Sequence, residues 1–260
     1  MDIIVCVKRV PFTQEVDLEI DPENKDIDRE ELAYVINDWD HYAIEAAVKL
    51  QEELGGTVTA VTLGTEEDEE VLRRCLAMGA DRAVRIDPGE RRLDGAGVAR
   101  VLARVIGPLP HDLILTGVQA EDDNQGVVGI MTAELLGLNH AAVVTSLEPG
   151  AGELIIRCEL EGGVDERSKI GLPALLSVQT GLNEPRYVSI MGIKKAAKKP
   201  LEVVALDDLG LEEAELAPRT ILEEVFLPPE TGGAEMISGD PARIAEILLG
   251  ILKEKGVWAS

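Results

Sequence analysis

Aromatic residues are scarce: two Trp, three Tyr and two Phe make up 3% of the 260 positions. A core without them is built from Val, Leu, Ile and Ala, the usual material of parallel sheets covered by helices. Positive charge is also in short supply. Lys and Arg total 25 against 49 Asp and Glu, a formal net charge of −24. That balance excludes binding that rests on neutralising nucleic-acid phosphates, and attachment to a membrane by a polybasic surface. No apolar run approaches the ~20 residues of a membrane helix. The opening Met1-Asp2-Ile3-Ile4-Val5 has no basic stretch ahead of a long apolar one, so neither signal peptide nor membrane insertion is expected. The three cysteines, Cys6, Cys75 and Cys158, form no C-x-x-C pair. They read as small hydrophobes in a reducing, cytoplasmic setting.

Several signatures of chemistry are missing too. The chain has no G-x-x-x-x-G-K-[ST], no G-x-G-x-x-G after its first strand, no H-E-x-x-H and no G-x-S-x-G. His41, His111 and His140 are isolated, and no group of His, Cys and carboxylates has metal-ligand spacing. No metal site and no catalytic residues are expected. Such a chain points to binding a ligand without transforming it.

What is present is alternation. Apolar or β-branched runs at 3–7, 57–63, 83–86 and 113–116 read as strands, and helical spacing fills 38–54, 65–78, 95–106 and 126–136. Strands alternating with helices imply βαβ units and a doubly wound, mostly parallel sheet. Three more strand-like runs follow at 142–147, 154–159 and 174–179, and beyond Thr180 the regular pattern stops. Residues 185–199 hold five basic residues and no acid. Residues 201–235 hold ten acids and one Arg, and read as an extended arm. Asp240-Pro241 caps a closing amphipathic helix over 241–255, striped by Ile244, Ile247, Leu248, Ile251 and Leu252. That helix either wraps onto another subunit or folds back on its own core.

Four segments sit at strand-to-helix junctions, where parallel sheets collect ligands. They are Cys6-Val7-Lys8-Arg9, Asn37-Asp38-Trp39-Asp40, Leu63-Gly64-Thr65 and the loop from Gly117 to Gly129. The last opens a helix near Gly126, whose N–H groups and dipole suit a phosphate. Gly126 and Gly129 permit close approach, and Asp122, Asp123 and Asn124 offer acceptors for ribose or adenine. The same loop is also read as a polar turn with a good helix cap. Convergence of all four segments on one crevice favours a nucleotide.

At these residues the chain resembles the small, β subunit of electron-transferring flavoproteins. Val5 to Val10 is similar to the family's opening V-x-V-K-x-V, and Asn37 to Ala47 to its N-P-F-D-x-x-A-V-E-E-A. Ala77 to Arg82 matches A-M-G-A-D-R, the Gly117 loop resembles G-x-Q-A-x-D, and Leu182 to Tyr187 matches L-N-E-P-R-Y. The resemblance implies a heterodimer with a larger α subunit that holds most of an FAD. Electrons would come from dehydrogenases such as acyl-CoA dehydrogenases and leave to a quinone oxidoreductase or another acceptor. The β subunit would hold AMP, or a second FAD in electron-bifurcating members. The implied nucleotide positions are Cys6, Val7, Asn37, Asp38, Trp39, Asp40, Leu63, Gly64, Gln119, Ala120 and the run Asp122, Asp123, Asn124, Gln125, Gly126, Val127, Val128, Gly129. Bifurcating members tend to read D-G-D-T-x-Q-V-G in that run. Here Asp123 replaces a Gly and Val127 a Gln, and the Asn37 block is closer to AMP-binding members.

The resemblance further implies a partner-docking loop at 185–199, with Arg186, Tyr187, Ile190, Met191, Lys194 and Lys195 facing a dehydrogenase. It implies a nucleotide-binding domain over 1–184 of the adenine nucleotide α-hydrolase-like kind, and an arm and helix over 200–260 that wrap onto the α subunit. Two rivals remain at this point. An ATP-using enzyme of the same fold would carry S-G-G-x-D-S after strand one, where this chain has Lys8-Arg9-Val10-Pro11. A self-dimerising nucleotide-binding signalling module would leave the arm without a purpose.

Overall fold

Short apolar runs become the centre of one nine-stranded sheet in a computed structural model that describes residues 1–14, 16–23, 25–229 and 232–257. In chain order the elements are β1 (Asp2–Cys6), β2 (Arg9–Pro11), β3 (Tyr34–Ile36), α1 (Asp38–Leu54), β4 (Thr57–Leu63), α2 (Glu69–Met78), β5 (Arg82–Asp87), α3 (Gly95–Ile106), β6 (Leu113–Gly117) and α4 (Val128–Leu136). There follow β7 (Asn139–Pro149), β8 (Glu153–Leu160), β9 (Val164–Gly171), β10 (Ala174–Val178), α5 (Ile190–Ala196), β11 (Leu201–Ala205), α6 (Glu213–Leu216) and α7 (Pro241–Glu254). The sheet order is β11-β5-β4-β1-β6-β10-β7-β8-β9. In that sheet strands β11 to β7 run parallel and the β7-β8-β9 meander is antiparallel, while β2 and β3 form a separate antiparallel pair. The expected doubly wound, mostly parallel sheet is thus the one that forms.

Alternation along β1 explains the two covering layers. Ile3, Val5 and Val7 join α1 and α2 in one apolar cluster, while Ile4 and Cys6 join α3 and α4 in the other. Successive side chains of a strand point to opposite faces, so a continuous apolar run is what a sheet covered on both sides requires. Among the described residues, no helix is long and apolar enough to cross a membrane.

The structure departs from the sequence reading after Thr180. Residues 201–205, read as part of an extended arm, add the parallel edge strand β11 beside β5. Residues 190–196 form a short helix, and 164–171 form β9, which the polar run Val-Asp-Glu-Arg-Ser-Lys had concealed. The chain divides into a unit Met1–Glu224 and a second unit beginning at Val225. Within the second, Asp240 caps α7 through Ala242 and Arg243, Pro241 stands at its start, and none of its residues is buried.

The stretch beyond β11 is tied to α3 by its capping residue. One Asp94 oxygen accepts from Gly97 N–H at 2.9 Å; the other accepts from Arg219 and Thr220 N–H at 2.6 and 3.1 Å. Burial would raise the Asp94 pKa, but these donors outweigh it and lower it. Asp94→Ala leaves all three N–H groups without their partner. The expected outcome is a loss of about 2 kcal/mol in urea unfolding, with faster tryptic cleavage after Arg219. An unchanged cleavage rate would show that another contact holds the segment.

Candidate functional site

Strand order reverses between β1 and β6, and that switch point opens a crevice at the carboxyl ends of the strands. A cavity of about 290 Å³ lies there. Of the sequence-predicted positions, Cys6, Val7, Asn37, Asp40, Leu63, Gln119, Ala120, Asp123, Gln125, Gly126, Val127, Val128 and Gly129 line it. Asp38, Trp39, Gly64, Asp122 and Asn124 do not. Trp39 donates from its indole to Gln179 at 2.7 Å, and Gly64 N–H is held by Ile86 O. Asn124 takes a left-handed turn conformation, φ 49°, which Asn tolerates.

The residues that look most like ligand contacts brace the cavity instead. Asn37 donates to Gln119 O at 2.9 Å and accepts from Glu121 N–H at 3.1 Å, so both ends of its amide hold the β6–α4 loop. Asp40, 6% exposed, accepts from Lys8 N–H at 2.8 Å and Gly117 N–H at 2.9 Å. It therefore joins the ends of β1 and β6 across the switch point. Gly117 has no alternative residue here, because a Cβ would come within 2.5 Å of Asp40 Oδ1 and 2.6 Å of Trp39 Cβ. Burial pushes the Asp40 carboxyl up to about 7, against the opposing pull of Lys8, Asn37 and Gly117. Burial, with Asp40 nearby, pushes the Cys6 thiol to about 12. Cys6 is thus a neutral wall, not a nucleophile.

The phosphate-like feature lies at the start of α4. Its capping position is Val127, no side chain caps it and no acid stands in its first turn. Thr116 is 5% exposed, lines the cavity, and its hydroxyl has no hydrogen-bond partner. A Cβ on Gly129 would overlap that hydroxyl. Open N–H groups at a positive helix end beside an unpartnered hydroxyl suit an anion with several acceptor oxygens. Lys8, at the rim, pairs with Asp122 at 2.7 Å and Asp123 at 2.9 Å.

Sequence reasoning missed the wall contributed by α3 and the residues before it: Leu93, Gly95, Val98 and Leu102. A signal was available. Asp94-Gly95-Ala96-Gly97 is a cap followed by small residues at another strand-to-helix junction. Thr116, Val61 and Thr62 also line the cavity, but strand ends inside apolar runs carry no mark of their own.

The basic segment forms a second feature. Arg186 reaches Glu45 Oε2 at 2.8 Å and Glu52 Oε1 at 2.7 Å on α1, and its own N–H also meets Glu45. These carboxylates, Glu52 first, raise the Arg186 pKa further. At the other end, Lys199 donates to Leu76 O in the last turn of α2 and to Ala80 O just beyond it, at 3.1 and 2.6 Å. Between the two anchors Tyr187, Ile190 and Met191 are 91%, 72% and 67% exposed. Ser189 caps α5 through Gly192 N–H, and Lys194 and Lys195 stand in its last turn.

Fold and cleft together define a doubly wound α/β protein with a ligand-sized crevice at its switch point. Residues 25–209 match the Electron transfer flavoprotein domain family. The chain is 39% identical to the electron transfer flavoprotein subunit beta of Methylophilus methylotrophus over 98% of each chain. It is 40% identical to the subunit of that name in Bacillus subtilis, again over 98% of each. It is also 35% identical to the caffeyl-CoA reductase-Etf complex subunit CarD of Acetobacterium woodii, over 99% of this chain and 100% of the relative. The chain belongs to the electron transfer flavoprotein β-subunit family.

Proposed function

We propose that this chain pairs with an α subunit, holds AMP in the switch-point cavity and presents 185–199 to an electron-donating dehydrogenase. The observation that carries the nucleotide part is the uncapped start of α4 beside the unpartnered Thr116 hydroxyl. Those donors would take the phosphate, and Cys6, Leu63 and Ala120 would enclose the adenosine. The cavity size supports AMP over a second FAD. At about 290 Å³ it lies at the small end of ligand sites, roughly 300–1,000 Å³, and FAD contains a whole AMP plus a flavin mononucleotide. FAD held largely by the α subunit would supply the electron-carrying chemistry, with electrons passing on to a quinone oxidoreductase or other acceptor. This chain's residues bind, orient and enclose; none of them is assigned a bond-making role. Residues 201–224 pack on this chain's own sheet and α3, so it is the part from Val225 onward, with the unburied apolar stripe of α7, that is assigned to the α subunit.

The nucleotide content of the purified heterodimer tests this directly. One FAD and one AMP per heterodimer is the expected result. Two FAD would replace AMP with the bifurcating alternative. For docking, Ile190→Asp is expected to leave unfolding within about 0.5 kcal/mol of the parent, since the side chain is 72% exposed. The same change raises the apparent KM for the dehydrogenase about tenfold or more, as loss of a central apolar anchor does. Unaltered KM would remove α5 from the docking surface.

A further inference from the structure

Three helices begin at this cavity: α1, whose first turn carries Asp38 and Asp40 and so repels an anion, and α3 and α4, of which only α4 begins with open donors. Gly95, the first residue of α3, lies against Val127 and Val128 at the start of α4. At α3, Gly95 N–H already donates to Gln125 Oε1 at 3.1 Å, and Gly97 N–H donates to Asp94 at 2.9 Å. At α4 no side chain caps the first turn, and the Thr116 hydroxyl beside Gly129 is buried and unpartnered. One helix N-terminus attracts one phosphate. Two that converge on a single cavity would suit a diphosphate, one phosphoryl group at each. In this chain the second place is filled from within: the Gln125 amide oxygen stands where an oxygen of the second phosphoryl group would accept from Gly95.

Charge points the same way. Among the described residues that line the cavity, Lys8 is the only Lys or Arg. Its ammonium faces the carboxylates of both Asp122 and Asp123. No unmatched cationic side chain of the lining remains to balance the extra charge of a second phosphate.

We propose that Gln125 is a specificity residue that restricts this cavity to a nucleoside monophosphate and disfavours the corresponding diphosphate. The inference rests on the nucleotide reading above and deepens it. Gln125 is itself exposed at the cavity rim, so its removal need not disturb the core.

The test is calorimetric titration of the nucleotide-stripped full-length chain with AMP and with ADP. The parent protein is expected to favour AMP. Gln125→Ala is expected to narrow that preference about tenfold, the scale of one neutral hydrogen bond and the space behind it, and the AMP-to-ADP affinity ratio is the quantity read. Thr116→Val serves as the contrast and is expected to weaken both nucleotides alike. Equal parental affinity for AMP and ADP, or an unchanged ratio in Gln125→Ala, overturns the role of Gln125 and leaves the nucleotide site standing. Binding of neither nucleotide by the parent overturns the site itself, and the specificity inference with it.

Discussion

Asp40→Ala is expected to destabilise the protein by about 2–5 kcal/mol and to abolish nucleotide retention. The carboxylate accepts Lys8 N–H from the end of β1 and Gly117 N–H from the end of β6. Alanine leaves both part-buried donors without a partner, and each unsatisfied donor costs about 1–3 kcal/mol. For a chain of this size that corresponds to a fall in Tm of roughly 5–15 °C. The cavity suffers beyond its stability, because the two strand ends form its walls. Asp40→Asn separates shape from charge. It keeps the size but sets an NH₂ against one of the two N–H donors, so it also destabilises.

The same residue gives the stability a pH dependence. The folded carboxyl sits near 7, raised by burial from the ordinary aspartate value of 3.8. Below about 4 both folded and unfolded chains carry the proton. Between about 4 and 7 the folded chain holds a proton that the unfolded chain has released. Stability from this group therefore falls as pH rises through that window, by at most about 1.4 kcal/mol per pH unit, and levels off above it. Urea midpoints of parent and Asp40→Asn between pH 4 and 8 should diverge in slope. Identical slopes would mean that Asp40 titrates near its unfolded value.

Arg186→Ala is expected to cost about 2–4 kcal/mol and, on the proposed docking role of 185–199, to weaken transfer from a dehydrogenase donor. Glu45 has a side chain only 2% exposed, and Arg186 meets it with both guanidinium and backbone. Removing one member of a buried pair strands the other, at about 3–5 kcal/mol. The value is set lower here because Arg186 is 31% exposed, Lys49 remains 3.7 Å from Glu45, and water screens what is left. Replacing Glu45 by Leu in the same chain removes the stranded charge. The double variant should recover much of the stability but not the docking, since Tyr187 and Ile190 still lose their anchor. Equal instability of single and double variants would show that packing, not charge, sets the cost.

Much of the sheet was legible because parallel strands declare themselves. β1, β4, β6 and β10 are apolar runs with few polar interruptions, and the helices between them carry stripes and Gly stops. β9 and β11 were not legible for the opposite reason. Both are edge strands with largely exposed side chains, and an edge is defined by backbone pairing that leaves no periodic trace.

For the site, local sequence determined which junction residues are present: the small and polar residues of the Gly117 loop, the Asn37-x-x-Asp40 block, the caps. The same residues carried the family resemblance. Tertiary structure alone decided their division of labour. Asn37 and Asp40 hold loop and strand ends, Arg186 holds the basic segment 185–199 to α1, and Gln125 reaches α3 across a separation of 30 residues. A side chain's hydrogen-bonding capacity is written in its formula. Which groups share it depends on what folding brings within 3 Å, and no spacing along the chain records that distance.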